Sequence, residues 1–378
     1  MAAETLEQNG QTLWQKLLER ALQDGASDLY LTAGQPAFLR RNGLLEKIIL
    51  PAGAESSQAD VPAAGAAPAF EDAFLKDDFM EQLVQTFLTA GQLQSLARGQ
   101  EVDFSLTFAG QRLRGNFYQQ QNHLALVLRF LPPKIPSLQE IHAPAALYDL
   151  LEAKRGLVLV TGSTGSGKTT TLASFLQAVN EKRAAHILTL EDPIEYVFPP
   201  AKCFISQREL GRDFSSFAGA LRSALREMPD ILLVGEIRDR ETMTTALQAA
   251  ETGLLVLGTL HTRGAAEAVR RMENFYPPGQ QPIVRAEIAE VITAVFAQQL
   301  LPARTGGRVP LVEVLLREPA VCSLIRQGRY SQLEGAMMSH QKEHMQTRGL
   351  ALQRLWQQGL LSAAVYEEVR CSLKGEIL

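Results

Sequence analysis

The chain has 378 residues, with 37 Lys+Arg against 41 Asp+Glu, a formal charge of −4, and 46% apolar residues. That length suggests two or three domains at roughly 100–200 residues each, and a core that needs no disulfide or metal staple. The slightly acidic balance argues against a protein whose main task is wrapping phosphate backbones. Three scattered cysteines, Cys203, Cys322 and Cys371, never form a CxxC pair, which excludes a disulfide framework and a sequence-local zinc ribbon. The N-terminus is polar with no leader-like apolar run, and nowhere do about 18 apolar residues follow one another. The composition is that of a soluble, globular protein of a reducing compartment.

The first segment reads as a small α+β unit. Leu13, Trp14, Leu17, Leu18, Ala21 and Leu22 fall at helical spacing, which predicts an amphipathic helix over 11–23, ended by Asp24-Gly25. A short strand over 28–32 follows, and then 38–41 and 44–50 flank Asn42-Gly43, a strong hairpin signal. Residues 51–69 are Ala, Pro, Gly and Ser with few large apolar side chains; they read as the body of a flexible surface insertion over 51–72. One helix is expected over 79–96, with Gly91 as a weak interruption. Three meander strands are expected next, over 102–108, 112–118 and 124–130, turning at Ala109-Gly110 and Gln121-Asn122. Residues 1–130 thus form an N-terminal domain. Three prolines in 131–137 can neither continue a strand nor open a helix, so this stretch reads as a stiff linker.

Beyond the linker, strands alternate with helices, which implies a mostly parallel sheet over 138–280. The runs 156–161, 187–190, 231–234 and 254–259 are continuously apolar, as strands covered on both faces should be. Helices are expected over 169–180, 214–226 and 240–251. The remainder, 281–378, reads as mainly helical. Its first helix is marked by Ile283, Val284, Ile288, Val291, Ile292, Val295 and Phe296 on one stripe, and a strand over 308–315 interrupts it.

Gly162-Ser163-Thr164-Gly165-Ser166-Gly167-Lys168-Thr169 fits GxxxxGK(S/T) in full, between a buried strand and a helix. Glycines let backbone N–H groups turn inward around phosphate oxygens, and the helix N-terminus points its own donors at the same place. Lys168 offers a cation to the β/γ-phosphates of a nucleotide and Thr169 a hydroxyl to Mg²⁺. Hydrolysis also needs an aligned water and a placed metal. Two acidic groups stand at the C-terminal ends of strands, where a parallel sheet presents its site: Glu191 to Glu195 after 187–190, and Glu236 after 231–234. His261 ends another buried strand. It reads either as a γ-phosphate sensor or relay across a subunit face, or as a core histidine with a local hydrogen bond.

These motifs, in this order, resemble the PilT/PilU family of type IV pilus retraction ATPases, within the secretion ATPases. The resemblance covers nearly the whole chain outside the insertion. Residues 26–31 and Arg41-Asn42-Gly43 look like the family's opening domain, and 156–171 (GLVLVTGSTGSGKTTT) like its Walker A region. Residues 186–197 (HILTLEDPIEYV) resemble its Asp box, 230–239 (DILLVGEIRD) its Walker B segment, and 251–262 (ETGLLVLGTLHT) its His box. Residues 323–328 and 344–347 resemble its late helical motifs. The resemblance implies a PAS-like α+β N-terminal domain, a RecA-like P-loop core with a helical C-terminal region, and a homohexameric ring. It implies ATP and Mg²⁺ as cofactors, with Glu195 as catalytic base and Glu236 acting on Mg²⁺ through water. Thr170 joins the phosphate contacts, and Arg112, Arg114 and Arg129 fall on the meander from which family arginines reach the phosphates. The implied partners are an inner-membrane pilus platform protein and a paralogous retraction ATPase. The implied place is the inner face of the cytoplasmic membrane, without insertion into it.

Two departures stand out: Leu254 occupies the position where the His box usually has a histidine, and the insertion lengthens the N-terminal domain. Both suggest a divergent paralogue nearer the accessory retraction ATPase than the principal one, and Leu254 alone supports a subunit that hydrolyses little and assists a more active paralogue. A type IV secretion ATPase with the same core is the closest competing reading. Extension and type II secretion ATPases carry a tetracysteine zinc element, which three scattered cysteines exclude. A nucleic-acid motor would want a basic stripe that the sequence lacks.

Overall fold

The computed structural model describes residues 13–41, 44–48, 74–131, 134–339 and 344–375. The chain divides into two compact units, Met1–Lys134 and Ile135–Leu378. The division falls inside the proline-rich stretch, of which residues 132–133 lie outside the described residues, as do Asn42-Gly43 and the insertion over 51–72.

The first unit contains α1 (Leu13–Gln23), β1 (Asp28–Thr32), β2 (Phe38–Arg41), β3 (Leu44–Lys47), α2 (Asp77–Phe87), α3 (Ala90–Ala97), β4 (Val102–Phe108), β5 (Gln111–Gln120) and β6 (His123–Phe130). The strands form one antiparallel sheet in the order β3-β2-β1-β6-β5-β4. Alternation decides its faces: Leu113 and Phe117 of β5 are buried with Leu126 and Leu128 of β6, and Leu17, Leu18, Met80 and Leu83 of the helices join that core. The other face carries a row in cross-strand register, Arg40–Asp28–Arg129–Arg114–Ser105. The single helix expected over 79–96 is two helices, and Gly91 is not the cause. Thr89 takes an extended conformation and closes a capping box with Gln92, which stops one helix and starts the next.

The second unit contains α4 (Ala145–Asp149), β7 (Gly156–Thr161), α5 (Lys168–Lys182), β8 (His186–Glu191), β9 (Phe204–Glu209), α6 (Phe217–Ala224), β10 (Ile231–Val234), α7 (Arg240–Glu251), β11 (Leu255–Leu260), α8 (Ala265–Asn274) and α9 (Gln281–Val291). It closes with β12 (Ile292–Pro302), β13 (Arg308–Leu316), α10 (Pro319–Arg326), α11 (Leu333–Ser339), α12 (Arg348–Gln357) and α13 (Ala363–Gly375). Seven strands run β13-β12-β7-β11-β10-β8-β9, parallel except for the β12–β13 hairpin. Separate buried clusters line its two faces. Leu157, Leu159, Leu188 and Leu232 belong to one, and Val158, Val160, Ile187 and Ile231 to the other. Covering on both sides is why these strands read as unbroken apolar runs.

The helical stripe drawn from Ile283 to Phe296 is corrected here. Helix α9 ends at Val291, and Ile292–Pro302 is a strand paired with both β7 and β13. Seven residues from Ile292 to Gln298 are buried or nearly so on both faces, and a short apolar run of that kind fits a buried strand as well as a helix. Strand β9, unforeseen, sits at the sheet edge with mixed polar and apolar side chains, so it lacks the apolar run that marks its neighbours.

Candidate nucleotide site

Strand β7 is buried along its whole length and delivers the chain to Gly162. The loop returns as α5, with Gly167 in the left-handed region (φ 89°) as its N-cap. Glycine is required at both ends of the loop for lack of space. A Cβ on Gly162 would lie 2.3 Å from the carbonyl oxygen of Gln298, and one on Gly167 would lie 2.8 Å from the Gln298 side-chain nitrogen. Ser163, Thr164 and Gly165 form the exposed rim of the loop, while Ser166 is buried. The Lys168 ammonium lies across the loop, donating to the carbonyl oxygens of Gly162 at 2.8 Å and Ser163 at 3.0 Å. Burial lowers the pKa of Lys168, against the pull of Glu236 and Glu195, so both carboxylates act on this ammonium.

Glu236 follows β10, and its side chain is only 20% exposed. His261 Nε2 lies 3.0 Å from one of its oxygens and Arg238 Nη2 lies 2.6 Å from the other. Burial pushes the Glu236 carboxyl up, but Arg238, His261 and Lys168 together hold it below the usual carboxylate range. His261 is therefore paired with a site carboxylate rather than with the core, and 44% of its side chain is exposed. Its backbone is fixed through its neighbour. Thr161, the last residue of β7, has its hydroxyl 2.6 Å from the Thr262 hydroxyl, and the Thr262 N–H donates to that Thr161 oxygen at 2.9 Å. The loop that opens at Gly162 and the turn that carries His261 are thus tied together at adjacent strand ends.

Glu195 is half-buried on the segment after β8. Its neighbour Tyr196 is latched to the first turn of α5, with hydroxyl oxygens of Tyr196 and Thr170 3.0 Å apart. Gln207 of β9 holds the same segment, donating to the Tyr196 carbonyl at 2.8 Å and to Glu191 at 3.1 Å. Glu191 is buried and also accepts from Thr189 at 2.8 Å; burial pushes its carboxyl up to about 7. Thr169 and Thr170 are partly buried at the start of α5.

Arg112, Arg114 and Arg129 belong to the first unit, on one face of its sheet. Arg129 pairs with buried Asp28 at 3.0 Å, Arg114 reaches Asp103 at 3.5 Å, and Arg112 donates to the Ser105 hydroxyl at 2.5 Å. Leu254 is not at the loop end of the sheet. It precedes β11 while His261 follows it, about 23 Å away at roughly 3.3 Å per residue, and its carbonyl accepts from Gly156 at the start of β7. Sequence reading missed Arg238, Tyr196 and the Thr161–Thr262 latch. Arg238 stood in plain view two residues from Glu236, whereas the other contacts join residues far apart in the chain.

The cradle suits a nucleotide phosphate. Its backbone turns inward through Gly165 (φ 76°) and Gly167, a cation lies across it, and the buried Ser166 hydroxyl has no hydrogen-bond partner among the described residues. Residues 125–362 match the profile of the type II/IV secretion system protein family. The chain belongs to that family. It is 38% identical over 348 residues to the type IV pilus retraction ATPase PilT of Pseudomonas aeruginosa, covering 92% of this chain and 95% of that one. Among solved structures it matches the pilus retraction motor PilT with bound ADP (TM-score 0.81, 37% identity, 95% and 96% of the two chains). It also matches the ATPase DotB of Legionella pneumophila (TM-score 0.80, 27% identity, 97% and 98% of the two chains). The PilT resemblance read from the motifs is borne out. So is the fold class: an α+β N-terminal domain joined to a P-loop ATPase core with helices at its C-terminal side.

Proposed function

We propose that the chain is a hexameric ATPase that converts ATP hydrolysis into pilin disassembly, driving type IV pilus retraction and twitching motility. The observation that carries this reading is the gathering of Glu236, His261, Arg238 and Lys168 around one phosphate loop in a PilT-like fold. In this reading the loop amides from Gly162 to Thr169 hold the phosphates, Lys168 turns from its carbonyl partners to the β/γ-phosphates, and Thr170 closes the first turn of α5 against them. Glu195 takes the proton of the attacking water. The new P–O bond forms at the γ-phosphorus as the bond to the bridging oxygen breaks, and ADP leaves with the electron pair. Glu236, held below the usual carboxylate range by Arg238, His261 and Lys168, and the Thr169 hydroxyl form a hard-oxygen donor set that suits Mg²⁺. When bound, the metal supplies charge to the phosphate oxygens. His261 links the Glu236 carboxylate to the turn before α8. Arg112, Arg114 and Arg129 supply cations from the N-terminal sheet, so that hydrolysis depends on ring assembly.

The partner is then the platform protein at the inner face of the cytoplasmic membrane, with a paralogous retraction ATPase as a second. Among the described residues no helix is long and apolar enough to cross a membrane, which fits peripheral attachment from the cytoplasm. The DotB match favours one second reading, a type IV secretion ATPase built on the same core. The test is the Mg²⁺-dependent ATPase rate against protein concentration. Specific activity that climbs and then saturates is the expected result; turnover independent of concentration would refute completion of the site by assembly. Loss of twitching in a deletion strain, with secretion intact, separates the two readings.

A further inference from the structure

We infer that Gln298, in the middle of β12, is a positioning residue that sets the phosphate loop in its nucleotide-accepting shape; the inference rests on the loop being a nucleotide site. Gln298 is 132 residues from Ser166 in sequence and only 4% exposed. Its side-chain N–H₂ donates to the carbonyl oxygen of Ser166 at 2.7 Å, and its side-chain oxygen accepts from the Thr171 hydroxyl at 2.8 Å. One carboxamide therefore grips the loop just before Gly167 and the helix just after it.

The direction of the grip matters more than its strength. The Ser166 carbonyl can only accept, so it takes the side-chain nitrogen and leaves the oxygen to accept from the Thr171 hydroxyl, which fixes the amide orientation. The Ser166–Gly167 peptide is trans, so its C=O and N–H point opposite ways. Drawing the Ser166 carbonyl toward β12 turns the Gly167 N–H away from β12, toward the open side of the loop, where an anion would be met. The backbone of the same residue moulds the other end, since the Gln298 carbonyl fills the space that a Cβ on Gly162 would need. A hydrophobic residue here would fill the volume and leave the Ser166 carbonyl buried without a donor.

The test is the affinity of the full-length protein for ADP carrying a fluorescent ribose label, without added metal, for wild type, Gln298→Glu and Gln298→Leu. At about pH 8 the carboxylate introduced by Gln298→Glu still accepts from Thr171 but faces the Ser166 carbonyl without a proton, so affinity falls about tenfold or more. As the pH drops toward about 6, this buried carboxyl takes up its proton, donates to Ser166, and affinity returns toward the wild-type value measured at the same pH. Gln298→Leu loses affinity to a similar extent at both pH values. Repulsion of the nucleotide by the new carboxylate would weaken Gln298→Glu alone, so the loss in the uncharged Gln298→Leu as well assigns the effect to the missing donor to Ser166. Gln298→Glu within twofold of wild type at pH 8, or equally weakened at both pH values, overturns the inference. If Gln298→Glu does not fold, Thr171→Val carries the test: a several-fold loss supports the inference and wild-type affinity overturns it. Lys168→Ala serves as the separate control, because unchanged ADP affinity in that variant would refute the nucleotide site itself.

Discussion

Replacing Glu191 by Gln removes a titration while keeping a shape. One Glu191 oxygen accepts from both Thr189 and Gln207, and a glutamine oxygen can do the same. In the native fold burial lifts the carboxyl to about 7 from an ordinary value of 4.5, a difference of about 2.5 pH units (7 − 4.5). The sign follows from which state holds the proton. Because the folded value is raised, the native state is favoured in full below about pH 4.5, and that contribution is lost as pH rises through about 7. At pH 8 ionising Glu191 costs the fold on the order of 3 kcal/mol, at about 1.4 kcal/mol per unit. The group is buried, so little of this is screened away. Urea unfolding of wild type and Glu191→Gln at about pH 5 and pH 8 reads the effect, using the transition that ADP shifts as the marker of the nucleotide unit. Glu191→Gln should gain on wild type by about 2 to 3 kcal/mol between the two pH values, since a little of the wild-type contribution is already lost at pH 5. Parallel stability curves for the two proteins would refute the reasoning.

Two substitutions address the site directly. Glu236→Gln should leave ATP affinity within a few-fold of wild type while steady-state hydrolysis falls by about a hundredfold or more; equal loss of both would make Glu236 a structural residue. Leu254→His should leave the ATPase rate unchanged, because position 254 lies at the far end of β11 from the phosphate loop; a several-fold rise in turnover would refute that separation.

What the sequence made legible was whatever is contiguous. The phosphate loop is eight consecutive residues, and β7, β8, β10 and β11 announce themselves as apolar runs because both faces of the sheet are covered. The carboxylates at the ends of β8 and β10 could be placed once the sheet was known to be parallel. Arg238 was overlooked although it follows Glu236 closely, since an exposed arginine is the ordinary case. Gln298 was illegible for a different reason. It lies in a strand read as helix, and its function depends on β12 lying next to β7, an adjacency that local periodicity does not encode. Leu254 was legible as a departure, but its place before β11 was not: motif order does not say which end of a strand faces the phosphates.

The β12–β13 hairpin gives this enzyme something beyond support for its loop. Gln298 stands directly opposite Val312 in the ladder, and the Val312 carbonyl accepts from the Gln346 side chain at 2.7 Å. Gln346 in turn accepts from Arg354 of α12 at 2.7 Å. Ser166, Gln298, Val312, Gln346 and Arg354 therefore lie on one path from the phosphate loop to the C-terminal helices: hydrogen bonds join Ser166 to Gln298 and Val312 to Gln346 and Arg354, and the β12–β13 register sets Gln298 opposite Val312. Any coupling that this path carries from a bound phosphate to α12 acts by the same amount in reverse, from a pull on α12 to the grip of the loop.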